Sequence, residues 1–186
     1  VRVLGIDPGS ETTGWGVVEG DSDGRKYRLI EFGAVKLKTS ASFSSRLLKI
    51  SRGLEEVIAR LKPDACAIED AFYANNPKVI LKLGQVRGVA LLAAESAALE
   101  IAEYSPRLIK QTVAGYGNAE KQQVQEMVRV LLSLTSIPEP HDAADALAVA
   151  ICHFHHAGVQ RRLAAAEARM KINPTVAGPT RRRAIR

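Results

Sequence analysis

Three strand-like runs crowd into the first 37 residues, and after them every strand-like run is separated from the next by a helical one. Val1–Asp7 is apolar and ends on an acid followed by Pro8-Gly9. Trp15–Val18 and Tyr27–Leu37 follow, divided by the acidic, glycine-containing turn DSDG at 21–24. Runs this close together predict an antiparallel meander. Phe43–Leu61 then repeats Leu47, Leu48, Ile50, Leu54, Val57, Ile58 and Leu61 at helical spacing, and Pro63 stops it. Ala65–Glu69 is a short strand. A helix is expected from Pro77 to about Leu99, with Asn76 as N-cap and proline in its first position. Ile101–Tyr104 is a fifth strand, and helices are expected over Pro106–Ala114, Glu120–Leu132 and His141–His156. A meander followed by strand–helix alternation predicts an α/β fold: a mixed five-stranded sheet flanked by helices.

Two of the apolar strands finish on an acid, Asp7 and Glu69. Strand ends along one side of an α/β sheet are where sites are usually built. Asp142 and Asp145, at the start of the last helix, are three apart and so share a helical face. Each acid alone has an ordinary reading: a turn for Asp7, an exposed strand end for Glu69, and helix-dipole complements for the pair. Together they point to one site, because four clustered carboxylates repel unless a cation lies between them. Hard oxygen ligands select Mg²⁺ or Mn²⁺, and two such ions can drive phosphodiester hydrolysis. The chain has no GxSxG elbow, P-loop, GxGxxG or zinc spacing to compete with that reading. Cys66 and Cys152 sit in apolar stretches and read as reduced core residues. His153, His155 and His156 lack the i,i+4 spacing of a zinc pair.

Charge divides the chain unevenly. The net charge is +6, yet residues from Val159 onward hold eight basic side chains and one acid, leaving residues 1–158 slightly acidic. The expectation is a catalytic domain over 1–158 and a basic C-terminal tail over 159–186, with its last dozen residues disordered. No apolar run reaches the roughly 18 residues a membrane span needs, and no signal-like pattern opens the sequence, so a cytoplasmic protein without membrane contact is expected.

The stretches VLGIDPGSETTGWGVV (3–18), AIEDAFYANNPKVILKLGQVRGV (67–89), PRLIKQTVAGYGNAEKQQVQEMV (106–128) and HDAADALAVAICH (141–153) resemble the RuvC family, the crossover-junction endodeoxyribonucleases. The resemblance covers about 1–157. It implies a ribonuclease-H-like fold, a homodimer, and Mg²⁺-dependent cutting of two opposed strands at a four-way (Holliday) DNA junction, with two ions per site and Mn²⁺ as a substitute. It implies metal-binding roles for Asp7, Glu69, Asp142 and Asp145, base stacking for Phe72, and a place near the scissile phosphate for Lys110 and Lys121. It also implies a partnership with the branch-migration proteins RuvA and RuvB. Some family members carry histidine at the first acid of the final pair. Here an aspartate stands there with His141 beside it, as a residue behind the site. The basic tail matches nothing in the family.

Lys78, Lys82 and Arg87 lie on or near one predicted helix after Glu69 and, with Lys110 and Lys121, are candidate DNA contacts. Solvated helix faces are the alternative. The apolar stretch Val89–Ala98 wants cover on two faces, which a second subunit would supply. Three other readings compete. An actin-like ATPase shares the Asp-x-Gly opening but needs two lobes. An RNA-cutting nuclease of related fold would use the same acids. A non-catalytic module would bind DNA through its tail alone.

Overall fold

The structure is a computed structural model that describes residues 1–21, 24, 26–70 and 76–172. Its strands are β1 (Arg2–Asp7), β2 (Thr12–Gly20), β3 (Tyr27–Lys36), β4 (Ala65–Glu69) and β5 (Glu100–Tyr104). Its helices are α1 (Phe43–Leu61), α2 (Pro77–Ser96), α3 (Pro106–Ala114), α4 (Lys121–Leu131) and α5 (His141–Ile172). The strands form one sheet in the order β3-β2-β1-β4-β5. β1, β2 and β3 pair antiparallel, while β4 lies parallel to β1 and β5 parallel to β4. The mixed five-stranded sheet of the sequence reading is therefore present.

Alternation along the strands sorts side chains to two faces. Leu4 and Ile6 of β1, Trp15 and Val17 of β2, and Cys66 and Ile68 of β4 pack against α1 and α2. Val3, Val18 and Ala67 face the other way, into a layer built by α3, α4 and α5. Asp7 and Glu69 continue the second set, so period two alone directs both acids toward α5. Cys66 and Cys152 are free and buried, and burial pushes their thiols up to about 12 and about 11.

Helix ends follow local chemistry. The Ser42 hydroxyl accepts from the Ser45 N–H at the start of α1, Asn76 caps α2, and Ser105 caps α3. Glu120 and Gln123 form a capping box at α4. Two ends differ from the sequence reading. α2 stops at Ser96 rather than near Leu99, because Ala98 takes a left-handed turn and Leu99 tucks into the core on the way to β5. α5 runs on past His156 to Ile172. Gly158 does not break it: that residue packs beneath the β2–β3 turn, its Cα 3.5 Å from the position a Cβ would take at Gly24. The alanines and long side chains that follow are strong helix formers. No helix among the described residues is long and apolar enough to cross a membrane.

Candidate active site

β1 and β4 run parallel with Ile6 beside Ile68, so the next residues, Asp7 and Glu69, end side by side. Register and alternation thus bring together two acids that are 62 positions apart in the chain. The first half of α5 lies across β1 and β2 at close range. Gly14, the β2 partner of Asp7, makes the approach possible: a Cβ there would stand 1.9 Å from the Asp142 carbonyl oxygen. At Gly5 it would stand 2.0 Å from the Ala146 carbonyl oxygen. Glycine inside a strand is the signal of close backbone approach, and the stretch TTGWGVV carried it unread.

A cleft of about 290 Å³ opens where these elements meet. Asp7, Glu69, Asp145, Lys110 and Lys121 line it, with Pro106, Ile109, Val124, Ala148 and Val149 as its apolar walls. Three of the four predicted acids therefore share one cavity with the two predicted lysines. Asp142 lies one helical turn before Asp145 and outside the cleft lining, though its charge still acts on Asp7. His141 is exposed as the first residue of α5.

Electrostatics mark Asp7. Burial, then the neighbouring charges of Glu69, Asp145 and Asp142, push its carboxyl up to about 8 from an ordinary 3.8. Burial likewise raises Glu69, against a hydrogen bond with Asp7 and the nearby Lys121 and Lys110. Burial disfavours the Lys121 charge, but its bond to Asp145 and the surrounding carboxylates outweigh that and raise it. Lys121 Nζ stands 2.5 Å from Asp145 Oδ2. Gln125, which the sequence reading passed over, donates from Nε2 to Asp145 Oδ1 at 3.3 Å. Among the described residues, no three acidic, histidine or cysteine side chains stand close enough to hold a metal ion as placed. The donor set nonetheless suits one: hard carboxylate oxygens in a cleft where burial first, and the neighbouring carboxylates second, hold on Asp7 a proton that a cation would replace.

This charge balance sets a sign for stability. Between pH 4 and pH 8 folded Asp7 keeps a proton that the unfolded chain has lost, so stability falls as pH rises through that window. The metal-free protein is expected to melt at lower temperature at pH 8 than at pH 5, and Asp7→Asn is expected to flatten the trend. Thermal melts in EDTA across that range check it. An identical pH trend in wild type and variant would contradict this account of Asp7.

The remaining predicted residues lie apart from the cleft lining. Lys78 and Lys82 are exposed on α2, with Lys82 Nζ 5.9 Å from the centre of the Phe43 ring. Arg87 is ion-paired with Glu103 and stands 3.4 Å from Asp70, which ties α2 to the ends of β4 and β5. Phe72 and its neighbour Tyr73 lie outside the described residues, as do 173–186 of the tail. The three histidines in the middle of α5 are divided among different partners: His153 with Tyr104, His155 with Tyr27 and His156 with Thr112.

Comparison with known proteins shows the family. Residues 3–153 match the family described as crossover junction endodeoxyribonuclease RuvC. The chain belongs to the RuvC family. The RuvC of Chloroflexus aggregans is 49% identical over 162 residues, covering 87% of this chain and 98% of that protein. Two solved RuvC structures from Thermus thermophilus are each 36% identical. One aligns with a TM-score of 0.78 over 86% of this chain and 97% of the other. The second, in complex with a Holliday junction substrate, aligns with a TM-score of 0.80 over 86% and 96%. The fold is the ribonuclease-H-like fold of these RuvC proteins.

Proposed function

We propose that this protein is a metal-dependent endodeoxyribonuclease that resolves Holliday junctions by paired, symmetric cuts. One observation carries the reading: Asp7, Glu69 and Asp145, drawn from two strand ends and a helix, line one cleft with Lys110 and Lys121. Membership of the RuvC family supports it. Asp7, Glu69, Asp142 and Asp145 are the residues that would hold Mg²⁺, or Mn²⁺ in its place, two ions per site. Bound there, the ions supply activation of the attacking water and stabilisation of the leaving oxygen. Lys110 and Lys121, on the cleft wall, hold the phosphate backbone over the carboxylates. Lys78, Lys82 and Arg87 extend the backbone contact, Phe72 stacks on an unpaired base, and His141 supports the metal-binding residues from behind.

A junction presents two equivalent strands, which a two-fold homodimer with one cleft per chain matches. α2 offers the surface for it. Leu81 and Leu92 are 70% and 65% exposed, and between them the positions of Gly84 and Gly88 open onto free space. RuvA and RuvB are the further partners proposed. A DNA substrate implies a cytoplasmic location.

The deciding experiment incubates the protein with a labelled four-way junction, in Mg²⁺ and in EDTA, beside a linear duplex of the same sequence. The expected result is symmetric paired nicks in the junction only, and only with metal. Metal-independent binding without cutting would replace this reading with that of a DNA-binding module.

We further propose that residues 1–158 are the nuclease domain and that 159–186 are a basic extension that touches DNA. The first part of that extension lies in α5, where Arg161 and Arg162 are exposed. Truncation after Gly158 is expected to weaken junction binding and to flatten its dependence on salt, because fewer counterions are released. Binding isotherms at several salt concentrations measure the slope. A truncated protein with the full-length slope would show that the extension stays off the DNA.

A further inference from the structure

We propose that Gln125 is a positioning residue for the metal-binding carboxylate of Asp145; the inference rests on the metal-dependent reading of the cleft. Both oxygens of Asp145 are engaged, and both partners come from α4. Oδ2 meets Lys121 Nζ at 2.5 Å, and Oδ1 accepts from Gln125 Nε2 at 3.3 Å. Lys121 and Gln125 are four apart, so one helical face presents both. A carboxylate only accepts hydrogen bonds, and that settles which end of the Gln125 amide faces it.

The two partners differ in what they can do next. Lys121 opens α4, and its side chain is 62% exposed, so the ammonium can leave. Gln125 is only 3% exposed, and its neighbours Val124 and Val128 are buried in the same core cluster as Ala148 and Val149 of α5. It has nowhere to go. A divalent cation held by Asp145 would repel the ammonium, and Lys121 would then be free to turn toward a phosphate. The neutral amide does not repel the cation and stays on Oδ1. Gln125 would therefore hold the plane of the Asp145 carboxylate and leave Oδ2 available to a cation. Partners behind a metal-binding residue usually matter about 10–100-fold in affinity or activity.

The test compares wild type with Gln125→Met, which keeps the length of the side chain and removes the donor. Mn²⁺ binding to the metal-free protein is followed by electron paramagnetic resonance, and junction cutting is followed as a function of Mg²⁺. The variant is expected to bind Mn²⁺ about tenfold more weakly, to need about tenfold more Mg²⁺ for half-maximal cutting, and to bind the junction without metal as wild type does. Gln125→Asn, whose amide is drawn back by one methylene, is expected to do the same and serves if the methionine variant does not fold. Unchanged Mn²⁺ affinity overturns the proposal, whether cutting is unchanged or is reduced equally at every Mg²⁺ concentration. If wild type cuts and the variants match it in metal dependence, only the role of Gln125 falls. If wild type binds no Mn²⁺, the metal-dependent reading of the cleft falls with it.

Discussion

Asp7→Asn is expected to lower junction cutting by about a thousandfold or more while leaving junction binding within about twofold of wild type. Asp7 ends β1 inside the cleft, next to Glu69 and within reach of the charges of Asp145 and Asp142. Asparagine keeps the size and one oxygen but cannot gain the negative charge that Asp7 would offer once a cation displaced its proton. Metal assistance contributes several kcal/mol to such a reaction, and each ~1.4 kcal/mol is about tenfold in rate. Binding survives because the basic residues proposed to meet the phosphates are carried by other elements, α2, α3 and α4, and keep their charge. The same change relieves repulsion in the metal-free site, so the variant folds at least as well as wild type at pH 8. Single-turnover cutting of a synthetic junction and gel-shift titration without metal make the comparison. A variant that cuts at the wild-type rate would remove Asp7 from the site.

The second large effect comes from a residue with no functional group. Gly14→Ala is expected to cost about 1–3 kcal/mol of stability and about a hundredfold in cutting. A Cβ at Gly14 would lie 1.9 Å from the carbonyl oxygen and 2.3 Å from the carbonyl carbon of Asp142. Both atoms belong to the backbone at the start of α5, so no side-chain rotation relieves the clash. The helix end must move by more than 1 Å, carrying Asp142 and Asp145 away from Asp7 and Glu69. A displacement of that size is enough to lose about two decades of rate. Denaturant melts and single-turnover rates measure the two losses. Wild-type stability and rate together would mean that the approach of α5 to β2 does not seat the acids.

The two predictions separate what is local from what is not. Asp7 could be picked out from the chain itself, because an apolar run that stops on an acid is visible without a structure, and the same holds for Glu69. Arg87 shows the opposite case. Its position suggested a DNA contact, but that it also pairs with Glu103 and stands near Asp70, on and beside other strands, leaves no mark in the local pattern. Gln125 was missed for a related reason. It sits on the apolar face of an amphipathic helix, where one polar residue looks like an interruption until the carboxylate it meets is known.

The sequence by itself determined the strands and helices, the Asn76 cap, the mixed sheet with helices on its faces and the acids on which its apolar runs end. Those follow from periodicity and end chemistry, which act over a few neighbouring residues. Only the tertiary structure decided that Asp7 and Glu69 finish level, that α5 reaches Ile172, that Asp145 enters the cleft while Asp142 stays at its margin, and that α4 holds both oxygens of Asp145. Those outcomes depend on strand register and on how closely two glycine-bearing strands let a helix approach, and both are set between segments far apart in the chain.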